Sequence, residues 1–358
     1  MGPARPRFAV QAPALCRRTY RTRVNTWVYR TGFRKPESGY FLSVLIPAAR
    51  GALSAALFDA MRTTSADADP VLGIEPESRD DAHIALWALY ELHYRGFEDA
   101  EDDLEWNPAI LGVRRRLEEC FEDLLRSRFK PPERSEPFAE SLEAYIEAHD
   151  GPSLATFVQR QADKSQVLDL LKIRTIYHLK ESDPTAWVVP RLEFQTQAAL
   201  MELQFDEYGA GDPNRLHSHL YAKGIEASGL RTDYGAYIDE APVEILEQNN
   251  AMSMFGLHRR LRGAALGHLA AFEATSSLPC RRMAQGLARL EFPREMIDYY
   301  DEHVEADAVH EQLAVRTICA PLVQSEPDLT EDVFFGAYSC LDLESRFADA
   351  FLGEGAAA

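Results

Sequence analysis

The sequence has few cysteines, no long uninterrupted apolar run, fewer basic than acidic residues, and no recurring alternation of apolar and polar residues. Its five cysteines are odd in number and widely spaced and form no Cys-x-x-Cys pair, which argues against a disulfide framework and a cysteine-based zinc site. The longest apolar stretches, such as residues 41–58, are broken by proline, arginine and glycine, so we expect no transmembrane helix. Without a strand-like alternation, a β-sheet protein is not expected either.

Basic residues are outnumbered, with 38 Lys and Arg against 57 Asp and Glu, which gives a net charge of −19 and a pI near 5.0. Because phosphate binding depends on clustered Lys and Arg, nucleic acid is not an expected partner. We expect a cytoplasmic protein whose partner is a small molecule, with no membrane association. Whether two copies form a homodimer is left open.

Residues 1–38 differ from the rest of the chain, because they are rich in arginine and proline and no acidic residue precedes Glu37. They contain no continuous apolar segment of the kind a secretory signal needs, and Pro3, Pro6 and Pro13 interrupt any helix. We interpret this segment as a flexible arm.

From residue 39 onward the hydrophobic pattern is almost entirely helical, and the fold class predicted is all-α. Residues 80–99 are apolar on nearly every side, which is typical of a central buried helix. A break at Asp150-Gly151-Pro152 separates residues 39–150, predicted to be a helical N-terminal extension, from a core at residues 151–352. The expected architecture is a helical bundle with a polar site inside it.

One helix carries a stripe of metal-ligand residue types. His303, Asp307 and His310 follow one another at i, i+4 and i+7, and at about 100° per residue they fall within an arc of about 60°. The charged neighbours mostly lie off this stripe and Ala314 and Ile318 continue near it, so the stripe is expected to be buried. Buried imidazoles and a carboxylate without partners are costly, and a cation is the simplest partner for all three.

Residues 200–230 contain a second candidate region, in which two helices meet at a glycine-rich turn. Gly209 and Gly211 permit a tight turn, and Asp212 followed by Pro213 has the pattern of a helix N-cap and first helical residue. This turn could bring Glu207 and His217 to face one point. On spacing alone, their neighbours Asp206 and His219 are equally acceptable.

Two more carboxylates complete the candidate set. Glu181 is expected at the end of a helix, before a break at Ser182-Asp183-Pro184, and Glu273 is the lone acid in a run of Ala, Leu, Gly and Phe. A lone carboxylate on such an apolar helix is costly unless it is paired, and a salt bridge to an arginine is the alternative to a metal. His178 lies three residues before Glu181 but is not included as a ligand.

Together these residues resemble the haem-oxygenase-like diiron oxidases and oxygenases, a family of iron-containing redox enzymes. The resemblance covers about residues 165–320, and it rests on the order and spacing of all the positions just described. It implies a haem-oxygenase-like helical bundle and the following metal ligands: Glu181, Glu207, His217, Glu273, His303, Asp307 and His310. It identifies no catalytic residue beyond these ligands.

The resemblance also implies an iron-dependent oxidoreductase that holds two Fe²⁺ ions and uses dioxygen as co-substrate. The substrate implied is a small amino-acid-like or fatty-acid-like molecule, often in natural-product biosynthesis, with N-oxygenation, desaturation and C–C cleavage among the outcomes. Two alternatives are a haem-binding protein of the same fold and a non-catalytic helical binding protein with a buried polar network. A haem site needs one axial histidine in an apolar cleft, so four acids and three histidines exceed its requirement.

Overall fold

A computed structural model describes residues 44–63, 69–133 and 137–355, and over residues 305–309 it describes the backbone but not the side chains. The predicted flexible arm, residues 1–38, lies outside the described residues. Helices account for most of the described chain, which contains no β-strand, so the predicted all-α fold class is confirmed. The α-helices are α1 Ala52–Arg62, α2 Arg79–Glu91, α3 Pro108–Arg128, α4 Phe138–Glu147, α5 Leu154–Arg160, α6 Lys164–His178, α7 Asp183–Ala186, α8 Phe194–Glu207, α9 His217–Ala227, α10 Val243–Leu257, α11 Arg262–Ala274, α12 Ser277–Arg289, α13 Arg294–Gln312, α14 Ala320–Ser325 and α15 Thr330–Gly355.

Helix α2 is buried as its apolar pattern predicts, but it ends at Glu91, so the predicted helix over residues 80–99 is too long at its C-terminal end. Ser78 caps its N-terminus by accepting a hydrogen bond from the Asp81 backbone N–H, and acidic residues occupy its first turn, where the helix dipole favours them. Trp87 and Tyr90 are almost completely buried. Burial of such large aromatic side chains contributes strongly to the hydrophobic stabilisation of the core.

Helices α11 and α15 pack unusually closely, and glycines make this approach feasible. A Cβ atom at Gly267 would overlap the Val333 carbonyl oxygen, and one at Gly336 would overlap the Ala264 carbonyl oxygen. Each helix therefore presents a glycine to the backbone of the other. This contact fixes the position of α11, the helix that carries Glu273.

A buried ion pair joins the N-terminal half of the chain to the segment that carries Glu181. The Lys180 ammonium lies 3.6 Å from Glu91 Oε2, and the two side chains are 2% and 0% exposed. Tyr234 donates a hydrogen bond of 2.7 Å to the same carboxylate oxygen. Arg95 donates a hydrogen bond of 3.1 Å to the Leu179 carbonyl oxygen. Residues 179–180 are therefore fixed by contacts with α2 and with the turn that follows it.

Among the described residues, no helix is both long and apolar enough to cross a membrane. The division of the chain into an extension at residues 39–150 and a core at residues 151–352 stays a prediction.

Candidate metal centre

The histidine stripe lies on α13 and faces the interior. His303 is 5% exposed and His310 is 1% exposed, as the position of both residues on one apolar stripe predicts. The helix is continuous through this region, but after Gln312 it widens into a π-helix, Leu313–Cys319, which the sequence pattern does not reveal. Asp307 lies within α13, and its side chain lies outside the described residues.

The glycine-rich turn brings Glu207 and His217 together. Gly209 and Gly211 have φ values of 70° and 84°, and a Cβ at Gly209 would lie 2.6 Å from the Leu216 backbone nitrogen, so the turn closes tightly on the start of α9. Glu207 is the last residue of α8, and His217 is the first residue of α9.

The prediction that Asp212 and Pro213 begin the second helix is wrong. Asp212 instead accepts hydrogen bonds within the turn, from the backbone N–H and the side-chain amide of Asn214. The local Asx-type turn uses the side-chain oxygen that would otherwise cap a helix, and α9 begins only at His217.

Glu181 and Glu273 reach the same interior region from two other elements. Helix α6 ends at His178, so Glu181 lies in the following turn rather than at the helix end that the sequence predicts. It is nevertheless 8% exposed, and Glu273, on α11, is 5% exposed. No arginine pairs with Glu273 among the described residues, and its recorded partner is His310, whose Nδ1 lies 3.5 Å from Glu273 Oε2.

Six of the seven predicted residues form two adjacent clusters. Glu181, His217 and His303 make the first cluster, in which the ligand-type atoms lie within 4.8 Å of one another. A second cluster satisfies the same distance limit and consists of Glu207, Glu273 and His310.

Glu207 lies between the two clusters. Its Oε2 atom is 3.0 Å from His217 Nδ1, and its Oε1 atom is 3.4 Å from His310 Nδ1. Ser182 donates a hydrogen bond of 2.9 Å to Oε2 and so restrains the carboxylate. One carboxylate therefore faces a histidine of each cluster, which is the arrangement that a bridging ligand requires.

Burial and cluster membership favour Glu207 over Asp206 and His217 over His219, a choice that spacing leaves open. Glu207 is 7% exposed, whereas the side chain of Asp206 is 52% exposed and contacts only the outer face of the site, with Oδ2 3.4 Å from His310 Nε2. His217 belongs to the first cluster, and His219, two residues further along α9, belongs to neither.

The electrostatics of the site are those of closely spaced buried carboxylates. Burial raises the pKa of Glu181 and of Glu273. Burial would also raise the pKa of Glu207, but the contact with His217 and the charges of the surrounding imidazoles lower it to about 2. Burial opposes the charged form of His217 and of His310, yet contact with Glu207 and with Glu273 respectively raises each pKa to about 9. Protons on these two histidines thus balance part of the carboxylate charge, and a bound cation would displace them.

The donor atoms fit a metal. His217 Nδ1, His303 Nε2 and His310 Nδ1 are buried and make no well-directed hydrogen bond to the described residues. Buried polar atoms are normally satisfied, so three such nitrogens facing carboxylate oxygens indicate a missing partner that both atom types bind. Mixed imidazole and carboxylate donors suit iron, manganese or zinc.

Two cavities lie next to each other, and the smaller one lies against the clusters. The smaller one, of about 40 Å³, is lined by Glu181, Glu207 and Glu273 and by apolar side chains. The larger one has a volume of about 370 Å³ and extends towards Arg174 and Glu344. Four side chains line both cavities and form the wall between them: Tyr177, Met252, His268 and Phe272.

Sequence reasoning missed three residues that support the site: Ser182, Tyr299 and His268. His178 is not among the predicted ligands, and its Nδ1 atom lies 3.3 Å from Glu181 Oε1. The spacing of His178 three residues before Glu181 was a usable signal. Nothing in the local sequence indicated the other three, because their contacts depend on which elements pack together.

Comparison with known proteins is consistent with this geometry. Residues 168–345, which include all seven predicted ligands, match the family described as iron-containing redox enzymes. Nitrosourea synthase from Streptomyces achromogenes subsp. streptozoticus is 28% identical over 199 residues, which is 53% of this chain and 42% of that protein. The chain therefore matches less than half the length of this relative.

Proposed function

Because residues 168–345 place the chain in the family of iron-containing redox enzymes, we propose that the protein is a non-haem diiron oxidase or oxygenase. It oxidises a small organic substrate with dioxygen. The observation that carries this proposal is the pair of adjacent clusters with Glu207 facing a histidine of each, because a single haem or a single metal ion would need fewer ligands.

The proposed ligands of the first iron are Glu181, His217 and His303, and those of the second are Glu273 and His310, with Glu207 between the two ions. Asp307 remains a proposed ligand because of its place between the two histidines on α13. When bound, two ferrous ions would supply electrons to dioxygen.

The chain's own contribution is to hold the ligands and to exclude water. Leu203, Phe255, Leu269 and Phe272 line the small cavity beside the three carboxylates, so little room remains for bulk solvent. Exclusion of water strengthens the interactions between charges in the site and protects reactive species from side reactions.

We place the organic substrate in the larger cavity, whose volume is in the range of small-molecule sites. The wall of Tyr177, Met252, His268 and Phe272 separates it from the clusters by one layer of side chains. His268 makes no hydrogen bond to the described residues, and burial lowers its pKa to about 4, so it offers a neutral imidazole to a molecule in either cavity.

Charges of both signs at the far side of this cavity favour an amino-acid-like substrate over a fatty acid. Arg174 is 17% exposed and pairs with Glu344, and Gln248 donates a hydrogen bond of 2.8 Å to Glu344. A zwitterion can bind Arg174 through its carboxylate and Glu344 through its ammonium group, whereas a fatty acid offers only the first contact. A relative named for nitrosourea synthesis further supports a small organic substrate in specialised metabolism.

Substitution of Arg174 is expected to weaken amino acid binding. In calorimetric titrations of iron-loaded, anaerobic protein with the common L-amino acids and with octanoate, at least one amino acid should bind wild type. Arg174→Gln should weaken that binding on the order of 10- to 100-fold, because a buried charge-assisted contact is lost. Lys172→Gln, on the same helix but paired with Glu240, should leave it unchanged. Binding of octanoate alone would contradict the assignment.

The function itself is tested by anaerobic titration of the purified protein with Fe²⁺, followed by exposure to dioxygen. We expect saturation at two ions per chain, then dioxygen consumption and a change in the visible spectrum. Repetition with each candidate amino acid present covers the case in which the second ion needs substrate to bind. Absence of iron uptake under both conditions would overturn the proposal in favour of a binding protein with a buried polar network.

A further inference from the structure

Tyr299 contacts the first cluster through its side chain. Its ring lies on α13 and is 2% exposed. The phenol oxygen lies 3.2 Å from each of the two carboxylate oxygens of Glu181 and 2.9 Å from His178 Nδ1. A phenol has one hydrogen to donate at neutral pH. The hydroxyl can therefore donate to Glu181.

Tyr299 also contacts the same cluster through its backbone. His303 Nδ1 lies 2.7 Å from the Tyr299 carbonyl oxygen, one helical turn earlier on α13. A carbonyl only accepts, so this contact selects the imidazole tautomer that carries its hydrogen on Nδ1. The lone pair on His303 Nε2 then faces Glu181 Oε1, 3.8 Å away.

Neighbouring rings hold Tyr299 in place. Its ring centroid lies 4.9 Å from that of Tyr221 and 4.4 Å from that of His303. Tyr221 is fixed in turn by a hydrogen bond of 2.7 Å from its hydroxyl to the Leu171 carbonyl. Because the site of the hydroxyl is fixed by packing, the hydrogen bond can define where the Glu181 carboxylate lies. Glu181 needs such a restraint, since it lies in a turn rather than in a helix.

We propose that Tyr299 is a positioning residue that orients two ligands of the first iron site, Glu181 through its hydroxyl and His303 through its carbonyl. This inference rests on the proposed diiron function. The effect of Tyr299 is expected at the first site only, because among the described residues Tyr299 contacts neither Glu273 nor His310. Groups that orient metal ligands typically change metal affinity by about 10- to 100-fold when they are removed.

The test compares Tyr299→Phe with wild type in anaerobic titrations with Fe²⁺ and, separately, with Co²⁺, whose visible spectrum reports its coordination. We expect the dissociation constant of one ion per chain to rise about 10- to 100-fold while that of the other stays within about twofold. After gel filtration the variant should retain one ion where wild type retains two. If Tyr299 acted only through packing, Tyr299→Phe would lower the melting temperature of the metal-free protein without weakening metal binding at one site in particular. The melting temperature of the metal-free variant is therefore measured in parallel.

Tyr300→Phe is the matched control, because Tyr300 is the next residue on α13, packs against the Tyr299 ring at 5.0 Å and faces the larger cavity. It should bind both ions as wild type does. If Tyr299→Phe does not fold, Tyr221→Phe removes the hydrogen bond that fixes the ring packed against Tyr299, without removing a hydrogen bond to Glu181, and should weaken the same site. Unchanged binding of both ions in a folded variant would overturn the inference and leave the proposed function intact. Failure of wild type to bind any iron would overturn both.

Discussion

The double variant His303→Ala/His310→Ala is expected to retain no iron, where wild type retains two ions per chain, and to keep a helical far-ultraviolet circular dichroism spectrum. Each substitution removes the histidine that α13 contributes to one cluster. The helix itself should persist, because alanine has the highest helix propensity and the buried apolar residues of α13 remain. The number of iron ions that each chain retains after gel filtration checks this prediction, together with the circular dichroism spectrum.

The two single variants test which histidine belongs to which cluster. His303→Ala should lose the ion of the first cluster, and His310→Ala should lose the ion of the second. His219→Ala serves as the control, because His219 lies on α9 beside His217 but belongs to neither cluster. Retention of two ions by the double variant would refute the ligand assignment on α13.

Substitution of Glu207 by glutamine is expected to impair both ions at once, which no other single ligand should do. Its two oxygens face His217 and His310, one in each cluster, and the amide keeps the size of the side chain while removing its charge. We expect the affinity for each ion to fall by at least about 100-fold, because removal of mere supporting groups already costs about 10- to 100-fold.

Glu202→Gln is the matched control for this variant, because Glu202 is exposed on the same helix, α8. Titration with Fe²⁺ or Co²⁺ should give wild-type behaviour for Glu202→Gln. A Glu207→Gln protein that loses only one ion would show that Glu207 belongs to one cluster and does not lie between two ions.

Sequence alone predicts those parts of the site that depend on local geometry. His303 and His310 share one face of a continuous helix, so their convergence follows from helical periodicity. Glu207 and His217 meet across a short turn with two glycines of positive φ, which is also a local property. Glu181, predicted as a ligand at the end of a helix, is buried beside the other candidate ligands, but the helix before it ends three residues earlier than expected. Its role as a ligand stays a prediction.

The remaining features depend on contacts between segments far apart in the chain. Tyr299 reaches Glu181 only because α13 packs beside the turn after α6, and the larger cavity exists only where five or more elements leave space between them. The incorrect start of α9 has a local cause, since Asp212 can cap a turn as well as a helix. The π-helix after Gln312 depends on packing, and the hydrophobic periodicity of the sequence does not predict it.

The ion pair between Lys180 and Glu91 bears on which fragments of this protein are expected to keep the candidate site intact. Glu91 lies outside the segment that matches the family, yet it neutralises a buried ammonium directly beside Glu181. An excised fragment of residues 168–345 would lack both Glu91 and the helix that covers Lys180, so we expect the turn that carries Glu181 to be held less firmly in that fragment. The N-terminal half therefore contributes contacts that support the candidate site, although it lies outside the segment that matches the family.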